Sequence, residues 1–535
     1  MDTVVRVLPT QRRLVADSWS ALTGFVSPFT TGVLCAFVYL LTLTSDYFWD
    51  GITFALQIEK VARAERHAQL LFHQNHLLYN AFGYLLYNLA RTANPNIRAL
   101  TVLQVANVFV ASAAVAVFFK LAERLTRSRD AALICSGALA FSASWWKLAT
   151  DADAYVLSVL LILLCLNNLF SLRPRWYIAG LALAGAMLIH ELASLFSIAA
   201  IVSVLCDRNI KRRVLFCCGL CALAWSLAIS AYCVSARLLH GITSPRDLIR
   251  WATSNPSLVS PSFKPTSLIM LTARSNFDLF VGHSFSSTFR QLGTLGWVTA
   301  FGVVVACVFI FKLVRSGTLT RCVESIRRPS PEIADPWNQS VPVLITWVSV
   351  YLVFLCFFEP QDPYLRLFYA PAPALGFGLV FRNYRLLAKR KQSASDYLPF
   401  PRMALIGVMA LALSNFAFFI KPHMRSDTNP VVAAARNAST VWSKRTVILY
   451  GNRNEADTTF EYFNKATKWK KLSGGSPASL DSEIESIFEN GGSVWLNKGA
   501  IEKIDPSLLD KYVQGRRINV DCGYAPALYV ELLPE

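Results

Sequence analysis

The sequence predicts a polytopic α-helical membrane protein that ends in a small α/β domain. Apolar residues make up 54% of the 535 residues and charged residues only 16%. Uncharged apolar runs recur through the first 420 positions, and a soluble domain cannot bury so many of them. After residue 420 the runs stop, and short segments typical of strands and helices alternate.

Apolar runs of about the length that crosses a bilayer lie at residues 26–44, 98–119, 131–149, 154–172, 214–235, 295–311, 341–358, 364–381 and 403–420. Residues 76–90 are apolar over too short a stretch to span, so we expect an interfacial element there. Residues 176–206 are too long for one span and are interrupted by His190 and Glu191, which indicates two short helices. The prediction is therefore a fold of about 11 spans.

Charge fixes the predicted orientation. The net charge is +18, but residues 421–535 are nearly balanced, with 15 Lys and Arg against 14 Asp and Glu. The excess lies in loops at residues 120–129, 173–175, 208–213, 312–328 and 382–402. Short basic loops face the cytoplasm, so we expect a cytoplasmic N-terminus, an extracytoplasmic C-terminal domain and no nucleic-acid partner.

Two domains are expected. Residues 1–420 form the membrane domain, with outer loops at residues 45–97 and 237–294. Residues 421–535 form the α/β domain, with predicted strands at residues 446–451 and 493–497 and near Ile518 and Leu528. Its predicted helices cover residues 455–466, 479–488 and 506–513.

The first candidate site residue is Asp50 in FWDGITFALQIEK, directly after the first span. A partly desolvated carboxylate at a membrane boundary suits a general base. The alternative is that Asp50 caps an amphipathic interfacial helix.

A second candidate is SASWWKLATDADAY, residues 142–155, where Lys147, Asp151 and Asp153 crowd a short turn between two spans. Paired carboxylates bind hard divalent cations or hold a substrate. The alternative is that an aspartate caps the next helix while Lys147 extends to the interface.

The segment LIHELASLF places His190 and Glu191 inside an apolar stretch. Ionisable residues at that depth are a functional hypothesis by default. The segment lacks the second histidine of HExxH, which argues against a metalloprotease.

A fourth candidate, FFEPQDPYLRLFY, turns between two predicted spans and carries Glu359, Asp362 and Arg366. A guanidinium there could clamp a lipid-linked phosphate. The alternative is an ion pair between Arg366 and Asp362, four residues apart. A fifth candidate is the outer stretch 67–88, where His73 and His76 could contact phosphate or sugar, or could simply be solvated.

The order of these blocks resembles the GT-C superfamily of glycosyltransferases, and more narrowly the families similar to protein O-mannosyltransferases and aminoarabinose transferases. The segments that carry the resemblance are WDGITFALQIEK, HQNHLLYNAFGYLLY, KLATDADAYVLSVLL and LIHELASL, within residues 25–210. The resemblance implies that Asp50 is the catalytic carboxylate, that Asp153 stands where the family has a glutamate, and that His190 is the histidine of a helix break. HQNH replaces the family's His-Pro-Pro, and the glycines before Asp50 are missing, which leaves the substrate open.

The resemblance implies transfer of a sugar from a polyprenyl-phosphate donor to a glycan, lipid or protein acceptor at the extracytoplasmic face. Asp50 and Asp153 would be catalytic, and His73, His76, Lys147, Asp151, His190, Glu191, Glu359 and Arg366 would bind substrate. A divalent cation, Mg²⁺ or Mn²⁺ on Asp50 or Asp153, is a further candidate, and a bacterial inner membrane is the expected location. The rival hypotheses are a secondary transporter or lipid flippase and a non-catalytic scaffold.

Overall fold

The computed structural model describes residues 26–207, 210–253, 265–282, 331–390, 400–472, 477–520 and 526–534. The predicted span at residues 295–311 and parts of the loop at 237–294 lie outside these ranges. The chain forms two compact units. The first comprises Met1–Leu43, Leu71–Phe82 and Gln104–Ile420, and the second comprises Thr44–Leu70, Gly83–Leu103 and Lys421–Glu535.

The helices up to Ile420 are α1 (Pro28–Leu41), α2 (Trp49–Ala62), α3 (Tyr79–Ala93), α4 (Ala99–Thr126), α5 (Arg129–Ala140), α6 (Ala143–Ala149), α7 (Tyr155–Leu169), α8 (Trp176–Ile189), α9 (Phe196–Cys206), α10 (Arg213–His240), α11 (Pro245–Ala252), α12 (Pro265–Phe280), α13 (Pro331–Phe358), α14 (Pro371–Arg390) and α15 (Phe400–Asn415). Short 3₁₀ helices cover Ala68–Leu71, Glu191–Leu195 and Leu365–Phe368, and a π-helical turn covers Phe416–Ile420.

Apolar helices show that the chain is an integral membrane protein. Among the described residues, four helical segments are long and apolar enough to cross a bilayer, namely Ala99–Thr126, Arg213–His240, Ser340–Phe358 and Met403–His423. Four shorter apolar segments are Pro28–Leu41, Tyr155–Leu169, Trp176–Ile189 and Glu191–Cys206. The total of 11 spans stays a prediction.

The predicted single span at residues 131–149 is bent. It divides into α5 and α6, which meet at an angle of 69°. At the bend Ser142 donates its hydroxyl hydrogen to the carbonyl oxygen of Leu139 at 2.8 Å. A serine hydroxyl that bonds to a preceding carbonyl competes with the helical backbone ladder, which accounts for the break.

The break predicted at His190 is present. Helix α8 ends at Ile189, and His190 adopts an extended backbone with φ −154° and ψ 126° before the 3₁₀ helix Glu191–Leu195 begins. The predicted span at residues 364–381 also divides, because Pro371 begins α14 after the 3₁₀ helix Leu365–Phe368. Proline favours the first turn of a helix and ends the preceding one.

The second unit contains a five-stranded sheet of order β2-β1-β3-β5-β4. The strands are β1 (Thr446–Tyr450), β2 (Lys468–Lys471), β3 (Ser493–Asn497), β4 (Val513–Val520) and β5 (Ala527–Leu533). Strand β1 pairs in parallel with β2 and β3, whereas β5 pairs antiparallel with β3 and β4.

Helices cover both faces of this sheet. Alternate residues of β1 enter two cores, with Ile448 in one core and Leu449 in the other, as the two-residue period of a strand requires. The helices after residue 420 are α16 (Lys421–His423), α17 (Pro430–Ala438), α18 (Glu455–Phe463), α19 (Pro477–Glu489), α20 (Lys498–Ile501) and α21 (Pro506–Leu509). The predicted helix at residues 506–513 is wrong after Leu509, since Val513 begins a strand.

Helix α2 belongs to the second unit, where its side chains are buried by protein. Glu59 is 4% exposed and accepts a hydrogen bond from Arg98 at 2.8 Å and one from the Tyr462 hydroxyl at 3.3 Å. Ile52 and Leu56 are also buried. The side chains at positions 52, 56 and 59 are thus covered by other parts of the protein.

Candidate functional site

The break after α8 is held against the loop that precedes α3. The backbone N–H of Glu191 donates to the carbonyl oxygen of Asn75 at 3.2 Å, and the N–H of Leu78 donates to the carbonyl oxygen of Leu188 at 2.9 Å. The Nδ1 atom of His190 accepts from the N–H of Leu192 at 3.1 Å. Nδ1 therefore carries no proton, and the other ring nitrogen, Nε2, carries the N–H.

Three predicted histidines form one cluster. The ring centroids of His76 and His190 lie 4.5 Å apart, edge to face, and those of His73 and His76 lie 6.1 Å apart. The rings of Tyr155 and Phe368 each lie 4.8 Å from His190. Histidines from two separate stretches of the sequence thus meet in an aromatic enclosure.

We expect acidification to destabilise the fold through His76. Burial, reinforced by the neighbouring His73, lowers the pKa of His76 from 6.5 to about 3, so the folded chain keeps a neutral ring that the unfolded chain protonates. Above pH 6.5 His76 is neutral in both the folded and the unfolded chain, so its full contribution to the free energy of unfolding is present. It falls by about 1.4 kcal/mol per pH unit between pH 6.5 and the folded-state pKa.

Thermal unfolding at pH 7 and pH 5 measures this effect. His76→Gln should reduce the loss of stability on acidification, whereas His67→Gln, at an exposed position, should leave it unchanged. The same loss in His76→Gln as in the wild type would contradict the role of His76.

The turn after α6 contains a buried ion pair. Nζ of Lys147 lies 2.5 Å from Oδ2 of Asp151, and the two side chains are 5% and 0% exposed. Asn107 donates from Nδ2 to the backbone carbonyl oxygens of Asp151 and Asp153 at 2.9 Å and 2.7 Å. The alternative in which Lys147 extends to the interface is therefore wrong.

Asp153 lies two residues before Tyr155, one of the aromatic residues around the histidine cluster. Its Oδ1 atom accepts from the backbone N–H of Tyr155 at 3.0 Å, and the Tyr155 ring contacts His190. This bond precedes α7, whose N-cap position is Ala154 and has no side-chain cap. Tyr155 links the acidic turn to the histidines.

Arg366 is fully buried in the 3₁₀ helix Leu365–Phe368, with an exposed fraction of 0%. Its Nε donates to the hydroxyl oxygen of Ser275 at 2.6 Å, and its Nη2 donates to the carbonyl oxygen of Pro360 at 2.7 Å. Its Nη1 makes no hydrogen bond within the described part of the chain. A buried guanidinium N–H without an acceptor is costly, and an anionic ligand would satisfy it.

An apolar cavity of about 280 Å³ adjoins the helix break. Its lining residues are Met187, Glu191, Ser194, Trp225, Ala228, Ile229, Tyr232, Cys233, Leu248, Ile249 and Ala252. The Tyr232 hydroxyl donates to the carbonyl oxygen of Gln74 at 2.6 Å, which ties the cavity wall to the loop that carries His73 and His76.

Asp50 and Glu359 are two further predicted site residues. Asp50 is in the second unit, half-buried in the first turn of α2, and the N-cap position of that helix is Phe48. Glu359 directly follows α13, and its backbone N–H donates to the carbonyl oxygen of Leu355 at 3.2 Å. The structure thus groups His73, His76, His190 and Glu191, and it groups Lys147, Asp151 and Asp153.

A cation held by three or more protein side chains has no site among the described residues. They contain no group of three His, Cys, Asp or Glu side chains that could hold a metal ion. The Asp151 carboxylate already contacts Lys147, and its Oδ1 accepts from the N–H of Ala152 at 2.8 Å. We therefore derive no step through a cation.

Sequence reasoning missed the aromatic side chains of the site. Tyr155, Phe368, Trp225 and Tyr232 all lie in or beside apolar runs, where an aromatic residue is indistinguishable from core. Tyr155 and Phe368 do stand two residues from the predicted Asp153 and Arg366, which was an available signal.

The fold is shared with a known membrane protein. ArnT from Cupriavidus metallidurans in the apo state matches with a TM-score of 0.57 and 11% identity, over 97% of this chain and 98% of that chain. ArnT bound to undecaprenyl phosphate matches with a TM-score of 0.56 and 10% identity, over 96% and 98%. The chain has a GT-C fold. This confirms the fold that the resemblance implied.

A more distant match is the Archaeoglobus fulgidus oligosaccharyltransferase in complex with Zn and sulfate. Its TM-score is 0.46 at 12% identity, over 93% of this chain and 72% of that chain. No protein-family model matches the sequence, and no curated protein matches it.

Proposed function

We propose that this protein is a membrane glycosyltransferase that moves a sugar from a polyprenyl-phosphate-linked donor to a glycan, lipid or protein acceptor. The observation that carries the proposal is the apolar cavity beside the helix break, lined by Glu191 and by Tyr232, in a chain with a GT-C fold. ArnT, which shares this fold, was crystallised with undecaprenyl phosphate. A lipid-linked donor needs both an apolar channel for its chain and a polar end for its phosphate.

Arg366 is the best candidate to neutralise the departing phosphate. Lys147 is already paired with Asp151 at 2.5 Å, and His190 offers only its Nε2 proton. The Nη1 group of Arg366 makes no hydrogen bond in the described structure. Its 3₁₀ helix also supplies Phe368, which contacts His190. Fixed positive charge at a leaving phosphate lowers the transition-state energy without reorganisation.

The general base is assigned from the resemblance to GT-C glycosyltransferases. Transfer to a hydroxyl acceptor breaks the bond from the anomeric carbon to the phosphate oxygen, forms a bond to the acceptor oxygen and releases the acceptor proton. Asp50 would take that proton. Asp153 would orient the sugar or acceptor through its carboxylate, while His73, His76 and Glu359 would contact substrate. Reaction at the extracytoplasmic face of a bacterial inner membrane completes the proposal.

Filling the cavity tests the proposal. Ala228 is 4% exposed and lines the cavity, so Ala228→Trp should exclude the lipid chain. We expect undecaprenyl phosphate to raise the unfolding temperature of the wild type more than undecaprenol, which lacks the phosphate. Binding of undecaprenyl phosphate should weaken at least about tenfold in Ala228→Trp, the effect of losing about 1.4 kcal/mol of contact.

Ala222→Trp is the matched control, because Ala222 lies exposed on the same helix, α10, outside the cavity. It should bind the lipid like the wild type. Equal binding by the two tryptophan variants would contradict the assignment of the cavity to the lipid chain. Movement of the intact lipid-linked sugar across the membrane without transfer would favour a flippase instead.

A further inference from the structure

The order of the parallel strands in the C-terminal sheet reverses at β1. After β1 the chain passes to β2 on one side, and it then crosses to β3 on the other side of β1. Loops after β1 and β3 therefore diverge at the carboxyl ends of two adjacent parallel strands. Open α/β sheets bind ligands in the crevice at such a point.

A cavity of about 220 Å³ lies at this position. Its described lining consists of Asn452, Arg453, Asn454, Asp457, Asn497, Lys498, Gly499, Glu502, Pro526, Ala527 and Leu528. The polar side chains of this lining suit one small polar unit.

Two glycines let the loops after β1 and β3 approach each other closely. A Cβ atom added to Gly451 would lie 1.9 Å from the carbonyl oxygen of Gly499, and one added to Gly499 would lie 2.6 Å from the backbone nitrogen of Asn452. No other residue type fits where backbones approach so closely. The backbones of the two loops are thus in direct contact beside the cavity.

The inner wall is fixed by hydrogen bonds. Asn497 donates from Nδ2 to the carbonyl oxygen of Asn452 at 2.8 Å and to Oδ2 of Asp457 at 3.1 Å. The Tyr529 hydroxyl donates to Oδ1 of Asp457 at 2.6 Å. These contacts hold the wall in place before any ligand arrives, which lowers the entropy cost of binding.

The charges of the described lining residues balance. Arg453 and Lys498 are basic, while Asp457 and Glu502 are acidic. A site for phosphate or another anion would need an excess of positive charge. A neutral ligand rich in hydroxyl groups presents closely spaced donors and acceptors, which this alternation of amide, ammonium and carboxylate groups matches.

We propose that this cavity binds one saccharide unit of the acceptor glycan. The acceptor role rests on the proposed glycosyltransferase function, whereas saccharide binding itself does not. Lys498 and Glu502 stand at the rim, with side chains 55% and 59% exposed. Exposed side chains of this kind can be truncated with little effect on folding.

The test uses the full chain in lipid nanodiscs with the double variant Lys498→Ala/Glu502→Ala, which keeps the net charge. The probes are methyl glycosides of glucose, galactose, mannose and arabinose, with inorganic phosphate as the anion probe, and the readout is saturation-transfer NMR with titration. We expect at least one glycoside to bind the wild type, and its dissociation constant to rise at least tenfold in the variant.

The control is Lys511→Ala/Glu485→Ala, an exposed pair on the same domain with its Nζ and Oε1 atoms 2.8 Å apart. It should bind glycosides like the wild type. Absence of glycoside binding, equal binding by the cavity variant, or phosphate binding that only the cavity variant loses would each overturn the saccharide site.

Sugar transfer by the same proteins separates this site from the proposed function. Transfer by the wild type, with a raised KM for acceptor in the cavity variant, supports both. Transfer with the same KM in both proteins overturns the acceptor role and leaves the glycosyltransferase proposal intact. If the wild type binds a glycoside but transfers no sugar from any donor, the saccharide site is supported and the glycosyltransferase proposal is overturned.

Discussion

Replacing Arg366 by Gln should lower sugar transfer by about 10²–10³-fold, the effect of removing one preorganised group from a developing anion. Gln can still donate to Ser275 or Pro360, so part of the buried hydrogen bonding survives. The rate of transfer from a polyprenyl-phosphate sugar in detergent, together with the unfolding temperature, measures the two effects separately.

Arg382 provides a matched control. It is also buried, at 5% exposure, and its Nη1 atom also makes no hydrogen bond to any described residue. It lies in α14 at the edge of a predicted cytoplasmic loop, so Arg382→Gln should retain more than half of the activity. Comparable losses in both variants would show that a buried arginine matters for folding alone, and would contradict the phosphate role of Arg366.

Replacing Lys147 by Met should destabilise the membrane domain by about 3–5 kcal/mol, because it leaves the Asp151 carboxylate buried without its cation. The double variant Lys147→Met/Asp151→Asn removes both charges and should recover much of that loss. Thermal unfolding followed by tryptophan fluorescence is the measurement.

The control for this prediction is the exposed pair of Arg129 and Glu123, whose side chains are 54% and 33% exposed. Arg129→Met should cost less than about 1 kcal/mol. If the double variant at residues 147 and 151 is no more stable than Lys147→Met alone, the two side chains are not coupled and the buried pair is not what holds the turn.

Local sequence was sufficient to predict a helix break where polar residues interrupt an apolar run. His190 and Glu191 stand inside a stretch long enough for two short helices, and a break there is the simplest way to avoid burying both in lipid. The same reasoning did not find the bend at Ser142, because a serine satisfies its hydroxyl within a helix and leaves no visible interruption in hydropathy.

Contacts between residues far apart in the chain could not be predicted from the sequence. The alternative considered for Arg366 was an ion pair with Asp362, four residues away. The described hydrogen bonds of its guanidinium reach the backbone of Pro360 and the hydroxyl of Ser275, 91 positions earlier. Tyr232 lines the cavity from a helix that reads as an ordinary span. Strand β2 was missed because its sequence, KWKK, has the lysines of a protected sheet edge and no apolar alternation.

The most direct test of the proposed reaction compares the wild type with Asp50→Asn. Radiolabelled sugars on polyprenyl phosphate are supplied to membranes that contain each protein at matched expression, and label in membrane acceptors is counted. Asp130→Asn is the control, since Asp130 is likewise a half-buried aspartate in the first turn of a helix.

We predict transfer by the wild type and by Asp130→Asn, and a loss of about 10²–10⁴-fold in Asp50→Asn, as for the removal of a general base. Equal labelling by the wild type and Asp50→Asn would remove Asp50 from the mechanism. No labelling by the wild type from any polyprenyl-phosphate sugar would contradict the glycosyltransferase itself.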